Sequence, residues 1–171
     1  MKSLRVLGTK PKNHPFPILS WLIRLIEWSK ISHVAIELID EKTVIHSHFN
    51  SIEYIDIDDF EKENTIVYSY SFDIPTESYE AMLYYFHSIV GLKKGYFKIL
   101  FGAIIPHLLR CFFNIYIRNL FASEKDTAQL CSQFVRKVAL RYWNFKVPSR
   151  PFPENFSTQD VIALMENNIK K

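Results

Sequence analysis

Cysteine, charge of one sign and long uninterrupted apolar runs are all scarce in this sequence. Its 171 residues include only two cysteines, which excludes a disulfide framework and is typical of a reducing compartment. The formal net charge is only +3, and the basic residues are scattered, which does not favour a nucleic-acid-binding protein. No internal repeat or low-complexity tract occurs. The sequence therefore predicts an ordinary globular protein with no nucleic-acid partner.

Signals for export and membrane insertion are also missing. Residues 1–10 lack the apolar run of a signal peptide. The most apolar stretch, residues 96–121, is interrupted by Lys98, Pro106 and Arg110, among others. Its uncharged core is shorter than the about 20 apolar residues that a bilayer span requires. We expect no transmembrane helix and a cytoplasmic protein.

Hydrophobic residues make up 48% of the chain, enough for one domain over residues 1–171 with a sizeable core. Alternating patterns predict strands over residues 4–8, 32–39, 44–49, 52–57 and 64–72. Helical spacing predicts helices over residues 18–28, 76–90, 126–140 and 158–168, and a helix broken at Pro106 within residues 96–121. The order of these elements predicts an α+β fold with an antiparallel sheet packed against helices.

Cys131 lies near the predicted start of the helix over residues 126–140. Asp126 and Gln129 have the spacing of a capping box, which would place Cys131 in or near the first turn. Unpaired N–H groups and the positive end of the helix dipole favour a thiolate there. The alternative is a small core cysteine, because Cys131 shares a predicted apolar face with Phe134 and Val138.

Three histidines fall on two neighbouring predicted strands. His33 opens a strand whose other face is purely apolar, and His46 and His48 share one face of the returning strand. A four-residue turn between the strands would put all three on the same face of the sheet, whereas a three-residue turn would reverse the parity. A cysteine nucleophile needs such a base and a third group that orients it.

The order of these segments resembles that of a known family. The segments are Ser32-His33-Val-Ala-Ile, Val44-Ile-His46-Ser and Leu130-Cys131-Ser132-Gln-Phe-Val. They are similar to the histidine strand, returning strand and cysteine helix of circularly permuted papain-like hydrolases of the NlpC superfamily, in the YiiX-like and lecithin:retinol acyltransferase-like branches. The sequence departs from the family pattern at Ala35, where glycine is usual, and at His46, where many relatives have glutamate.

The resemblance implies a permuted papain-like fold and an enzyme that hydrolyses an amide or ester bond through a thioester. It implies that Cys131 is the nucleophile, His33 the general base and His46 the orienting residue. Tyr96, in a segment similar to the family's "GKPY"-like turn, and His48 are expected to contact the substrate. The expected substrates are peptides or lipid-like amides and esters, with no cofactor and no metal.

Three alternatives remain open at this point. His48 could replace His46 as the third catalytic residue. His46 and His48, completed by His33 or Cys131, could instead form a zinc site. The fold could also be catalytically inert and bind a protein or a membrane. Residues 96–121 bear on the choice between these functions and on the substrate class. They form either a core helix or a surface for acyl chains and peripheral membrane contact.

Overall fold

A computed structural model of the chain describes residues 1–12, 17–26, 29–47, 51–91, 109, 113–114, 131–147 and 156–169. The strands in these ranges are β1 (Lys2–Pro11), β2 (His33–Leu38), β3 (Thr43–Ser47), β4 (Ile52–Asp56) and β5 (Asn64–Ile74). The helices are α1 (Pro17–Ile26), α2 (Ile57–Glu63), α3 (Thr76–Ile89), α4 (Cys131–Tyr142) and α5 (Thr158–Ile169).

The strands form one antiparallel sheet in the order β4-β3-β2-β1-β5. The first strand of the chain lies between β2 and β5, so the sheet depends on pairing between segments that are far apart in sequence. Together with the helices, this sheet confirms the predicted α+β class.

One face of the sheet carries the main hydrophobic core. Successive strand residues point to opposite faces, so Val6, Val34 and Ile36 point to the same side and are fully buried. Apolar side chains of α3, α4 and α5 cover them. The helix residues that complete this main cluster include Tyr79, Met82, Phe86, Phe134, Val135, Val138, Val161, Leu164 and Met165.

The opposite face of the sheet has a much smaller apolar cluster. It consists of Leu7, Ala35 and Val44 from three neighbouring strands and Phe60 from α2. The side chain of Asp56 caps α2 by accepting a hydrogen bond from the backbone N–H of Asp58, at 2.8 Å. Helix α2 has seven residues, of which Phe60 is buried and Ile57 packs, partly buried, against the same cluster, so these two side chains hold the helix against the sheet.

The end of α3 is tied to the edge of the sheet. Gly91 has a φ of +80°, a conformation that glycine adopts without steric cost, and its N–H donates to the carbonyl oxygen of Ile52 in β4, at 3.0 Å. None of the helices in the described ranges combines the length and apolar character that crossing a bilayer requires.

Candidate functional site

The turn between β2 and β3 determines which face His46 occupies. Leu38 pairs with Thr43, which leaves the four residues 39–42 in the turn, and Lys42 adopts a left-handed φ of 52°. The register then sets Ala35 opposite His46. Since residues two apart in a strand share a face, His33 and His46 project from the same side, as a four-residue turn predicts.

The two imidazoles are hydrogen-bonded to each other. His33 Nε2 lies 3.2 Å from His46 Nδ1, and the rings meet edge to face with centroids 5.3 Å apart. One nitrogen must donate and the other accept, so the bond also fixes the relative tautomers of the two rings. This is the diagonal contact between neighbouring strands that the alternation pattern indicates.

Phe60 closes one side of the histidine pair. Its ring centroid lies 5.3 Å from that of His46, at an interplanar angle of 76°, and 6.5 Å from that of His33. His46 is only 5% exposed, whereas His33, at the first position of β2, is half-buried. The inner histidine is therefore shielded, and the outer one is the more accessible to a substrate.

Hydrogen bonds before β2 position His33. The backbone N–H of Ser32 donates to the carbonyl oxygen of Thr9, at 3.0 Å, and Thr9 is the cross-strand partner of His33. The hydroxyl groups of Ser32 and Ser20, in α1, share a buried hydrogen bond of 2.7 Å. The start of β2 is thus held from both β1 and α1.

Glu53, which belongs to none of the sequence motifs described above, extends the histidine pair onto a third strand. It lies opposite His46 in the register between β3 and β4, and its Oε1 is 3.3 Å from His46 Nε2. The distance is that of an ion pair between an imidazole and a carboxylate. The available signal was the parity of the strand pattern, because the register between β3 and β4 sets Glu53 on the face of His46.

Cys131 is the first described residue of α4 and is half-buried. The helix packs on both histidine strands, β2 and β3. Its first turn is anchored by Ser132, whose buried hydroxyl donates to the carbonyl oxygen of Phe156, at 2.5 Å. Cys131 itself also packs against the main cluster. The structure therefore brings His33 and His46 into contact, and it brings the helix of Cys131 onto their strands.

An ion pair with a buried carboxylate lies farther along the histidine face. Arg5 Nε is 3.2 Å from Glu37 Oε2, and Glu37 is only 4% exposed. Burial raises the pKa of Glu37, Arg5 lowers it, and the nearby carboxylate of Glu61 raises it. The pKa of Glu37 is raised overall, because the effect of desolvation is larger than that of the Arg5 guanidinium.

Several predicted residues lie outside the described ranges. They are His48 and Tyr96, the expected substrate contacts, and Asp126 and Gln129, the expected capping pair. Of residues 96–121, the structure describes only Leu109, which is half-buried, and positions 113 and 114, which are exposed. Within the described part of the chain, no cluster of three histidine, cysteine or acidic side chains has the geometry of a metal site.

Comparisons of the chain with models of protein families, with curated proteins and with solved structures give no significant match.

Proposed function

We propose that this chain is a cysteine hydrolase with a permuted papain-like fold. Cys131 attacks an amide or ester carbonyl, His33 is its general base, and His46 orients His33. The observation that carries the proposal is the 3.2 Å bond between His33 Nε2 and His46 Nδ1 on adjacent strands. A base held by a second hydrogen-bonding group is what nucleophilic catalysis requires. The packing of α4 on both histidine strands supports Cys131 as the nucleophile.

The geometry of the pair gives the two nitrogens of His33 different roles. Because Nε2 faces His46, we assign proton exchange with the thiol to Nδ1. The thiol proton of Cys131 passes to Nδ1 as Sγ bonds to the carbonyl carbon, and backbone N–H groups of the first turn of α4 stabilise the oxyanion. The leaving amine or alcohol takes the proton from His33, which leaves a thioester. Water then gives a proton to His33 and displaces the thiolate, releasing the acid.

The proposed cellular compartment follows from the chemistry of the thiolate. A thiolate nucleophile must stay reduced, and two cysteines in 171 residues are typical of a reducing compartment. We therefore place the reaction in the cytoplasm. The substrates that suit it are peptides and lipid-like amides or esters.

A second candidate is a catalytically inert module of the same fold that binds a partner. The observation that favours it is the contact of Cys131 with the main cluster, which is also the environment of an ordinary core cysteine. The two candidates differ in the expected reactivity of the thiol, because an inert core cysteine has no base to activate it.

The test is the rate at which iodoacetamide alkylates Cys131 at pH 7. It uses the full chain with Cys111→Ala, so that Cys131 is the only cysteine. An unactivated thiol is only a few per cent thiolate at this pH, so loss of an activating base should slow alkylation by about tenfold. We expect that loss in His33→Ala and a smaller one in His46→Ala. The matched control is His87→Ala, because His87 is exposed on α3.

Hydrolysis of a p-nitrophenyl ester provides the second readout, and Cys131→Ala should abolish it. Slow alkylation of the parent that His33→Ala leaves unchanged would contradict the hydrolase and support the inert module. Ester hydrolysis that persists in Cys131→Ala would also overturn the cysteine mechanism.

A further inference from the structure

We infer that Glu53 is a positioning residue that decides which nitrogen of His33 acts as the base. The catalytic consequence rests on the proposed function, but the effect on the imidazoles does not. Glu53, His46 and His33 form a continuous series of contacts on β4, β3 and β2, with separations of 3.3 Å from Glu53 Oε1 to His46 Nε2 and 3.2 Å from His46 Nδ1 to His33 Nε2.

The direction of donation along these contacts follows from the hydrogens that each group can supply. An ionised carboxylate has lone pairs and no proton, so the nitrogen that faces it, His46 Nε2, carries the hydrogen. A neutral imidazole has one N–H, so His46 Nδ1 is an acceptor. His33 Nε2 must then donate to it, and the lone pair of His33 remains on Nδ1. That is the atom to which the proposed mechanism assigns the thiol proton.

Without the carboxylate, the opposite arrangement satisfies the same His–His bond. His46 could carry its hydrogen on Nδ1 and donate it to His33 Nε2, which would place the hydrogen of His33 on Nδ1 and remove the base from that position. The bond between the rings alone does not distinguish these two states, because either atom can donate. The carboxylate of Glu53 distinguishes them, because it can only accept a hydrogen from His46 Nε2.

The effect of Glu53 comes through the tautomer more than through its charge. Its side chain is 39% exposed, so water screens the carboxylate. The side chain of His46 is only 7% exposed and is covered by Phe60, so few water molecules can satisfy the wrong tautomer. An amide oxygen at the same position can accept the same hydrogen. Glutamine should therefore preserve the arrangement where alanine does not.

The test is a long-range ¹H–¹⁵N correlation spectrum of the full chain with ¹⁵N-labelled histidine, at about pH 8, where imidazole is ordinarily neutral. Single replacements of His33 and His46 assign the two rings. In the parent we expect both to carry their hydrogen on Nε2. Glu53→Ala should move His33 at least partly to the Nδ1–H form, and Glu53→Gln should leave it unchanged. The matched control is Glu61→Ala, which removes an exposed carboxylate of α2.

The alkylation assay supplies the functional readout. Glu53→Ala should slow the alkylation of Cys131 as much as His46→Ala does, and Glu53→Gln should restore most of the rate. Unchanged tautomers in Glu53→Ala would overturn the inference, even if His33→Ala confirmed the hydrolase. Shifted tautomers with a thiol that does not respond to His33→Ala would support the positioning role of Glu53 and refute the cysteine mechanism instead.

Discussion

Phe60 is the residue whose loss should affect both stability and the histidine pair, and Phe60→Ala separates the two effects. The ring is fully buried and is the only buried side chain of α2. Truncating a buried phenylalanine costs about 3–5 kcal/mol. We expect the lower end, about 3 kcal/mol, because α2 has only seven residues and can collapse towards the sheet. That loss is a large fraction of the about 5–15 kcal/mol that stabilises a typical domain.

Urea unfolding measures the loss of stability, and the histidine ¹⁵N spectrum measures the effect on the site. The matched control is Phe86→Ala, because Phe86 is equally buried but belongs to the main cluster, where its ring packs against Phe134 with centroids 5.5 Å apart. Both variants should lose several kcal/mol, but only Phe60→Ala should shift the resonances of His33 and His46. A loss below about 1 kcal/mol, or unchanged imidazole signals, would refute the idea that Phe60 holds the pair.

Two further predictions concern the sheet. In the folded chain the pKa of Glu37 lies above its ordinary value of 4.5, so the folded state binds this proton more tightly than the unfolded state. The contribution of Glu37 to stability therefore falls as the pH rises from the unfolded-state pKa through the raised pKa of the folded state. The stability of Glu37→Gln relative to the parent should therefore increase between pH 4 and pH 7 in urea unfolding, and a constant or decreasing difference would contradict the burial argument. Gly8→Ala should cost about 1–3 kcal/mol in the same assay, because the added Cβ would lie 3.0 Å from Ile31 Cδ1 and 3.2 Å from Tyr68 Cβ; a neutral result would show that these side chains can move aside.

The individual strands and most of the helices were predictable, because the periodicity of the apolar residues indicates each of them. Alternation identified every strand in the described ranges to within a few residues, and the helix predicted over residues 76–90 is observed as Thr76–Ile89. The place of β1 between β2 and β5 was not predictable, because it depends on pairing with β5, which lies far along the chain. Helix α2 was missed for a different reason. The alternation of β4 continues to Ile57, although Asp56 already caps the helix.

The candidate site was predictable only in part, and the limit is strand register. A four-residue turn was one of two options, and the structure confirms it, so His33 and His46 share a face. The position of Glu53 beside the pair depends on two registers, that between β2 and β3 and that between β3 and β4. The sequence pattern alone leaves both registers open. The helix of Cys131 shows a similar limit. Its predicted apolar face is buried at Phe134 and Val138, whereas Cys131, at the first described position, is only half-buried.

The contrast between the two faces of the sheet is the strongest reason to look for function around the histidine pair. The apolar face supplies most of the core, so stability alone does not require polar groups on the other side. That side nevertheless buries His46 against Phe60 and Glu37 against Arg5. Desolvating such groups costs free energy that apolar side chains of similar volume would not. Ion pairs can serve structure alone, but a hydrogen-bonded imidazole pair that ends in the accessible ring of His33 is arranged as a proton acceptor would be.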